Sequence, residues 1–396
     1  MDYIDGHECK VVEIPVGTLG IVGMRGCEEI TDRVDSYLTK WRLERHNELN
    51  PEIEVPGYLL DSFKIKALCP RFGTGEAKGL IRQSIRGHDL YILCDMFNYG
   101  VEYTMYGRNV PMSPDDHYQD LKRIIAAAGG KARRITVIMP MLYEGRQHRR
   151  TSRESLDCAL MLQELSNMGV DNIITFDAHD ARVHNAIPLS GFDNIMPSYQ
   201  FLKAIVNDAE DIRFDKDKLM VISPDEGGMA RSIYYSSLLS VDLGMFYKRR
   251  DYSTIVQGRN PIVAHEFLGA NVEGKDLIII DDMISSGDSV LEIACQLKEK
   301  KAGRIFVCVS FGLFCEGLAN FDKAYADGLI DRVYTTNLVY RTEELKKRPW
   351  YKEVDMAKYL ALLIDRLNYD QSISELLNPS NRIRDLLERV RSREGK

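Results

Sequence analysis

Leu277-Ile278-Ile279-Ile280-Asp281-Asp282-Met283-Ile284-Ser285-Ser286-Gly287-Asp288-Ser289-Val290 reads as a buried strand, an acidic pair, a small polar turn and the start of a helix. Four consecutive aliphatic residues without alternation suit a strand covered on both faces of a parallel sheet. In open parallel sheets the ligand crevice lies beyond the carboxyl ends of the strands. A turn that enters a helix presents unpaired N–H groups and the positive end of the helix dipole to an anion. Ser285, Ser286 and Ser289 add hydroxyl donors, and Asp281 and Asp282 stand where sugar hydroxyls or a hydrated metal need acceptors. An acidic pair alone is better explained by helix capping. Strand, acids, turn and helix together favour a phosphate site around Ser285, Ser286, Gly287 and Ser289.

The same rhythm runs outward from this stretch. Apolar runs at residues 89–93, 135–139, 172–176, 219–222 and 305–309 alternate with helical spacing, as at 156–168 and 290–297. Strand-helix-strand order implies right-handed crossovers and an α/β, doubly wound architecture. The rhythm occurs twice, which predicts two tandem parallel-sheet domains, 1–196 and 197–377, with a hinge at 188–197 where Pro, Gly and Asn interrupt the pattern. Residues 37–60 are polar, contain Pro51, Pro56 and Gly57, and read as a surface insertion. Residues 378–396 form a charged helical tail, the pattern of a solvated amphipathic helix.

Composition narrows the class. The formal net charge is −7 with 44% hydrophobic and 28% charged residues, ordinary globular values without the basic excess of a nucleic-acid binder. No apolar run approaches the roughly 18 to 20 residues that cross a bilayer. The acidic N-terminus, Met1-Asp2-Tyr3-Ile4-Asp5, lacks a signal-peptide pattern. Eight scattered cysteines include no Cys-x-x-Cys pair and predict buried free thiols in a reducing cytoplasm.

Further segments carry polar chemistry in order. They are Phe72-Gly73-Thr74-Gly75-Glu76, Arg146-Gln147-His148-Arg149-Arg150, Thr175-Phe176-Asp177-Ala178-His179, Val221-Ile222-Ser223-Pro224-Asp225-Glu226-Gly227-Gly228-Met229-Ala230-Arg231 and Tyr247-Lys248-Arg249-Arg250. Asp225 is a second strand-end carboxylate, and His179 can ligate metal as a neutral imidazole. No third Gly follows Gly73-x-Gly75 at dinucleotide spacing, and Lys78-Gly79 reverses the Gly-Lys of a P-loop, so both common nucleotide motifs are absent.

The stretch 277–290 resembles the loop shared by phosphoribosyltransferases and ribose-phosphate pyrophosphokinases. The five further segments, in order, resemble the pyrophosphokinases, also called PRPP synthetases. The likeness extends from about residue 65 to 377 and leaves the insertion and tail outside. It implies two phosphoribosyltransferase-like domains. It also implies a reaction in which the β,γ-diphosphate of ATP passes to the C1 hydroxyl of ribose 5-phosphate, giving PRPP and AMP. On this resemblance Phe72, Thr74, Glu76, Arg146 and Gln147 contact ATP. Asp225, Asp281, Asp282 and the Ser285–Ser289 turn hold ribose 5-phosphate. His179 and Asp225 attend Mg²⁺, and Lys248 and Arg250 are catalytic on a flexible loop. It further implies a homo-oligomer, a dimer or hexamer, with the ATP site completed by a neighbouring subunit.

The loop departs from the family pattern at Ser285, Ser286, Asp288 and Ser289, its serines giving a version close to that of the transferases, and His148 is a further departure. Asp288 stands where the loop has Gly, and a carboxylate there repels a phosphate unless it turns outward or caps the helix. His148 replaces the Asp of Arg-Gln-Asp. These departures leave a non-catalytic nucleotide-binding relative as one alternative. The loop alone leaves a phosphoribosyltransferase as another.

Overall fold

A computed structural model describes residues 14–49, 55–209, 211–250 and 262–394. The chain forms two α/β units. In the first, β1 (Thr18–Gly23), β2 (His88–Leu93), β3 (Arg134–Ile138), β4 (Asn172–Phe176) and β5 (Gly191–Ile195) form a five-stranded sheet in that spatial order. Every pairing in it is parallel. In the second, β6 (Leu219–Ser223), β7 (Asp242–Arg250), β8 (Ile262–Leu268), β9 (Asp276–Ile284), β10 (Ile305–Gly312), β11 (Arg332–Thr336) and β12 (Tyr351–Val354) form a seven-stranded sheet ordered β8-β7-β6-β9-β10-β11-β12. Its pairings are parallel except between β7 and β8.

The two sheets wind differently. The first grows in one direction, strand after strand. The second starts at β6, runs out to β8, then restarts on the other side at β9. Order reverses between β6 and β9, which opens a crevice at their carboxyl ends. Asp225 follows β6, and Asp281 and Asp282 sit on β9. The strand runs on to Ile284, because Met283 and Ile284 stay in register with Phe311 and Gly312 of β10. The acidic pair therefore lies within the strand rather than beyond it.

Helices fill three layers. Successive strand residues face opposite sides. Leu277 and Ile279 pack outward with α6 (Asp288–Glu299) and α7 (Ala319–Ala326). Leu90, Ile92 and Val137 face α2 (Pro114–Ala128) and α3 (Asp157–Asn167) on the far side of the first sheet. The remaining faces of both sheets meet in one shared middle core. It is filled by α1 (Glu28–Leu49), α4 (Ser198–Asp208), α5 (Met229–Leu239), α8 (Ala357–Asn368) and α9 (Ser380–Glu394).

Three expectations change here. Residues 37–49 are not a surface insertion but the second half of α1, with Leu38 fully buried and Arg42 nearly so. A polar sequence can be buried because its charge is met: Arg42 donates to Asn368 Oδ1 at 2.7 Å and to Tyr369 Oη at 2.8 Å, and its guanidinium covers the Tyr369 ring. The hinge at 188–197 holds β5, an edge strand whose Asp193 accepts from Asn172 at 2.8 Å. The tail helix is amphipathic as expected, but Ile383, Leu386, Leu387 and Val390 are buried in the middle core. Among the described cysteines all seven are free, and Cys27, Cys94, Cys158 and Cys308 are buried.

The shared core makes α1 part of the stability of both units. Leu38→Ala should destabilise the protein by about 2–5 kcal/mol, the range for a buried Leu truncation. Chemical denaturation measures this, and a change near zero would mean that α1 does not close the core.

Candidate functional site

The crevice at the β6/β9 reversal has a volume of about 450 Å³ and is lined by Arg146, His179, Asp225, Arg231, Asp281, Asp282 and the Ser285–Ser289 turn, Asp288 excepted. The structure thus brings together residues from both sheets that lie far apart in sequence. Apart from Arg146, which sits in the loop between β3 and α3, each arrives at the carboxyl end of a strand or the amino end of a helix.

Its centre is Arg231, near the start of α5 and largely buried. Its Nε donates to Asp177 Oδ1 at 2.7 Å, and its terminal nitrogens lie 3.5 Å from Asp281 and 4.0 Å from Asp282. Ser310 Oγ donates to the other Asp177 oxygen at 2.6 Å. Asp177 is buried and adopts φ 42°, a left-handed conformation uncommon for a residue with a side chain. Asn194 on β5 helps to hold the turn, accepting from Ala178 N at 2.9 Å. Strain of this kind persists only where surrounding bonds over-determine it.

The acids are unequal. Burial and the charge of Asp282 push Asp281 well above the usual carboxylate range. Burial also acts to raise Asp282, but the hydrogen bond from His179 and the Arg231 charge outweigh it and hold it low. His179 Nδ1 lies 2.7 Å from Asp282 Oδ2, and that hydrogen bond raises the imidazole against the effect of burial. One carboxyl raised and its neighbour held low is the arrangement expected of like charges in contact.

The turn after β9 suits a phosphate. Gly287 has φ 93°, and a Cβ there would come within 2.3 Å of Phe321, so only glycine fits. Ser285, Ser286 and Ser289 line the crevice at the N-terminus of α6. Asp288 does not. It is exposed as the first residue of α6, where a negative charge complements the helix dipole.

His148 lies against the 3₁₀ turn that follows His179, with Nε2 3.6 Å from Asp180 and its ring 5.3 Å from the His179 ring. A carboxylate therefore still stands at this edge of the site, contributed by Asp180. Asp180 also caps the turn Ala181–Ala186 and is held low by its hydrogen bond to Arg182.

Other expected residues lie elsewhere. Gln147 donates to Ser155 O at 2.8 Å, within its own loop, and does not line the crevice. Phe72, Thr74 and Glu76 do not line it either. Thr74 Oγ1 donates to Glu76 at 2.9 Å, Phe72 is exposed, and the loop is backed by a short ribbon, Glu102–Met105 with Arg108–Pro111, through Tyr106 N donating to Gly73 O. Lys248 and Arg250 occupy the last residues of β7, opposite His265 and Ile262 of β8. Their side chains, and the segment 251–261, fall outside the described residues.

The donor chemistry fits a hard divalent ion that keeps most of its own shell. With Nδ1 engaged by Asp282, His179 has Nε2 left for a metal, and its second partner fixes the tautomer. Among the described residues no three His, Cys, Asp or Glu side chains gather closely enough to cage a metal. One or two protein ligands plus substrate oxygens and water is the coordination that Mg²⁺ favours.

Sequence reasoning paired Asp177 with His179 at a strand end, quoted Arg231 only within a motif, and missed Ser310. The available signal for Arg231 was its position one turn into the helix that follows a strand-end carboxylate.

Two outcomes follow. Gly287→Ala should abolish phosphate binding at the turn, and Gly287→Ala with Phe321→Ala should recover only part of it, because the φ constraint remains; calorimetry with ribose 5-phosphate reads both. Asp282→Asn should bring the His179 titration down, measurable by NMR. Because the folded-state imidazole is raised, the pair's contribution to stability is full below the ordinary histidine range and is lost as pH climbs through the raised value. An unchanged His179 titration would contradict the pairing.

Comparison with known proteins agrees with this geometry. Residues 21–169 match the family described as the N-terminal domain of ribose phosphate pyrophosphokinase, and residues 254–378 match the phosphoribosyl synthetase-associated domain. The chain is 27% identical over 317 residues to a ribose-phosphate pyrophosphokinase of Vibrio cholerae, covering 79% of this chain and 91% of that one. It is 28% identical over 334 residues to one from Prochlorococcus marinus, covering 83% and 91%. In fold it is similar to the crystal structure of phosphoribosylpyrophosphate synthetase from Mycobacterium smegmatis, with a TM-score of 0.67 at 22% identity over 88% of this chain and 98% of that chain. With both halves matched in order, and with the crevice formed between them, this chain belongs to the ribose-phosphate pyrophosphokinase family.

Proposed function

We propose that this chain catalyses Mg²⁺-dependent transfer of the β,γ-diphosphate of ATP to the C1 hydroxyl of ribose 5-phosphate, releasing AMP and PRPP. The observation that carries this reading is the crevice itself. It sets an anion-binding turn beside an acidic pair, with a histidine from the other unit opposite.

In this reading the 5′-phosphate sits on the Ser285–Ser289 turn, with Ser285, Ser286 and Ser289 as donors and Gly287 allowing the close approach. Asp281, Asp282 and Asp225 take the ribose hydroxyls. Asp225 is already oriented, since its Oδ1 accepts from Gly228 N at 3.1 Å. The C1 oxygen forms a bond to the β-phosphorus, the bond from that phosphorus to the AMP oxygen breaks, and the hydroxyl proton leaves to solvent. Such transfers depend on in-line placement and fixed positive charge rather than covalent help. Arg146 lines the diphosphate side of the crevice, and Lys248 and Arg250 supply cations from the end of β7. When bound, Mg²⁺ beside His179 and Asp225 neutralises the charge of the diphosphate oxygens. Phe72, Thr74, Glu76 and Gln147 are the proposed adenine-side contacts. All four lie outside this chain's crevice, but Gln147 adjoins the lining residue Arg146, so a second copy would present the first three, which makes the active form a homo-oligomer.

The exposed position of Asp288 removes the main motive for a non-catalytic relative. A phosphoribosyltransferase would leave the N-terminal match unaccounted for. Among the described residues no helix is long and apolar enough to cross a membrane.

Incubation with ATP, Mg²⁺ and ribose 5-phosphate should yield AMP and PRPP in equal amounts, followed together by ion-exchange chromatography. Lys248→Ala should lower kcat by roughly 10²-fold or more while ATP still binds, the scale for losing one fixed transition-state charge. Asp288→Gly should leave the KM for ribose 5-phosphate unchanged. Normal turnover by Lys248→Ala would sink its assigned role, and ATP binding without either product would sink the activity.

A further inference from the structure

In the ribbon of Glu102–Met105 with Arg108–Pro111, Met105 stands opposite Arg108, so two residues, Tyr106 and Gly107, make the whole turn. Both have positive φ, 49° and 76°. That is the pattern of a tight hairpin turn whose twist matches its strands, and its first position favours Asn, Asp or Gly. Tyr106 fills that position with a bulky side chain, in a conformation that few residues with a Cβ adopt. Its ring gains little packing in return, being 77% exposed. Backbone strain of this kind clusters at ligand clamps and active sites.

The ribbon is fastened to the loop at residues 72–76. Tyr103 lies under the Arg71 guanidinium, 4.6 Å from the ring centre, and Arg71 pairs with buried Asp120 at 3.0 Å. Met105 packs on Gly75, where an added Cβ would come within 2.8 Å of its sulfur. Tyr106 N donates to Gly73 O at 2.9 Å. One body therefore carries two exposed rings, Tyr106 at the ribbon tip and Phe72 on the loop. None of residues 102–111 lines this chain's own crevice. Glu102, Thr104, Arg108 and Asn109 around the tip are polar and exposed, so the ribbon offers a single ring and not the contiguous apolar patch that a protein contact buries. A flat aromatic face on a polar support is what a nucleobase stacks on.

We propose that Tyr106 is a base-stacking residue for the diphosphate donor, laid beside Phe72 against the purine of a nucleotide bound in the crevice of a second copy. This rests on the donor site proposed above, in which a second copy presents Phe72, Thr74 and Glu76. It adds the ribbon to that site and assigns the ring at its tip to donor affinity, with no part in the transfer step.

Tyr106→Asn is the informative variant, because Asn is favoured at that turn position and the ribbon keeps its form while the ring is lost. Its KM for ATP should rise about tenfold, the scale of one lost base stack, with kcat and the KM for ribose 5-phosphate close to the parent values. Tyr106→Phe, which keeps the ring, should bring the KM for ATP back. Calorimetry with Mg²⁺ and an ATP analogue that carries carbon between the α- and β-phosphorus, and so cannot be cleaved there, should show the same weakening in Tyr106→Asn. Equal KM and equal analogue affinity in parent and Tyr106→Asn would overturn the proposal. So would a loss that tracks protein dilution while sedimentation shows the variant falling to single chains, since Tyr106 would then grip the partner and not the base. If the parent makes no PRPP, the proposed reaction fails and the analogue alone decides: weaker binding by Tyr106→Asn upholds the stack, and equal binding or none in the parent overturns it.

Discussion

One guanidinium holds the crevice together. Arg231 comes from the second unit, and its best-placed partner, Asp177, comes from the first. Burying an arginine among three acids is unfavourable unless the charges and hydrogen bonds are met, and removing it would leave carboxylates facing each other without compensation. The unequal state of Asp281 and Asp282 and the left-handed turn at Asp177 both lie against this residue. Ser310 and His179 complete the bonds that it leaves open. The site is therefore a property of the docked pair of units, and neither unit carries it alone.

Docking in turn rests on the middle core. The inner faces of both sheets contribute to it, and polar contacts fasten it at the rim opposite the crevice. Arg134 forks onto Asp89 at 2.8 Å and reaches Leu367 O at 2.6 Å, while Asn368 donates to the same Asp89 at 2.8 Å. These bonds join the start of the first sheet to the end of α8. Hydrophobic burial holds the layers together, and the buried polar contacts fix their register.

The aliphatic runs gave away the central strands, because a strand buried on both faces admits little else. The edge strand Gly191–Ile195 did not show, since an edge position tolerates Gly, Asp and Asn that would disrupt a central one. The helix through residue 42 did not show because burial there is carried by paired charge rather than by apolar periodicity. Within the site, the turn at Ser285–Gly287 was legible from its small residues next to a strand end. Arg231 was not, because nothing local distinguishes a buried arginine from a solvated one; only the three-dimensional meeting of Asp177 with Asp281 and Asp282 does so. Asp288 was flagged as a repulsive neighbour, and its outward direction follows from its being the first helical residue, a detail set by where the strand ends.

The burial of α9 has a consequence for biosynthesis. The middle core contains Leu19 and Val390, at opposite ends of the described chain. A nascent chain can form the first sheet and its outer helices while translation continues, but the inner face of that sheet has no full cover until residues near 390 have left the ribosome. During that interval an apolar surface stays open, and chaperone occupancy during synthesis would be set by the distance in sequence between β1 and the last helix.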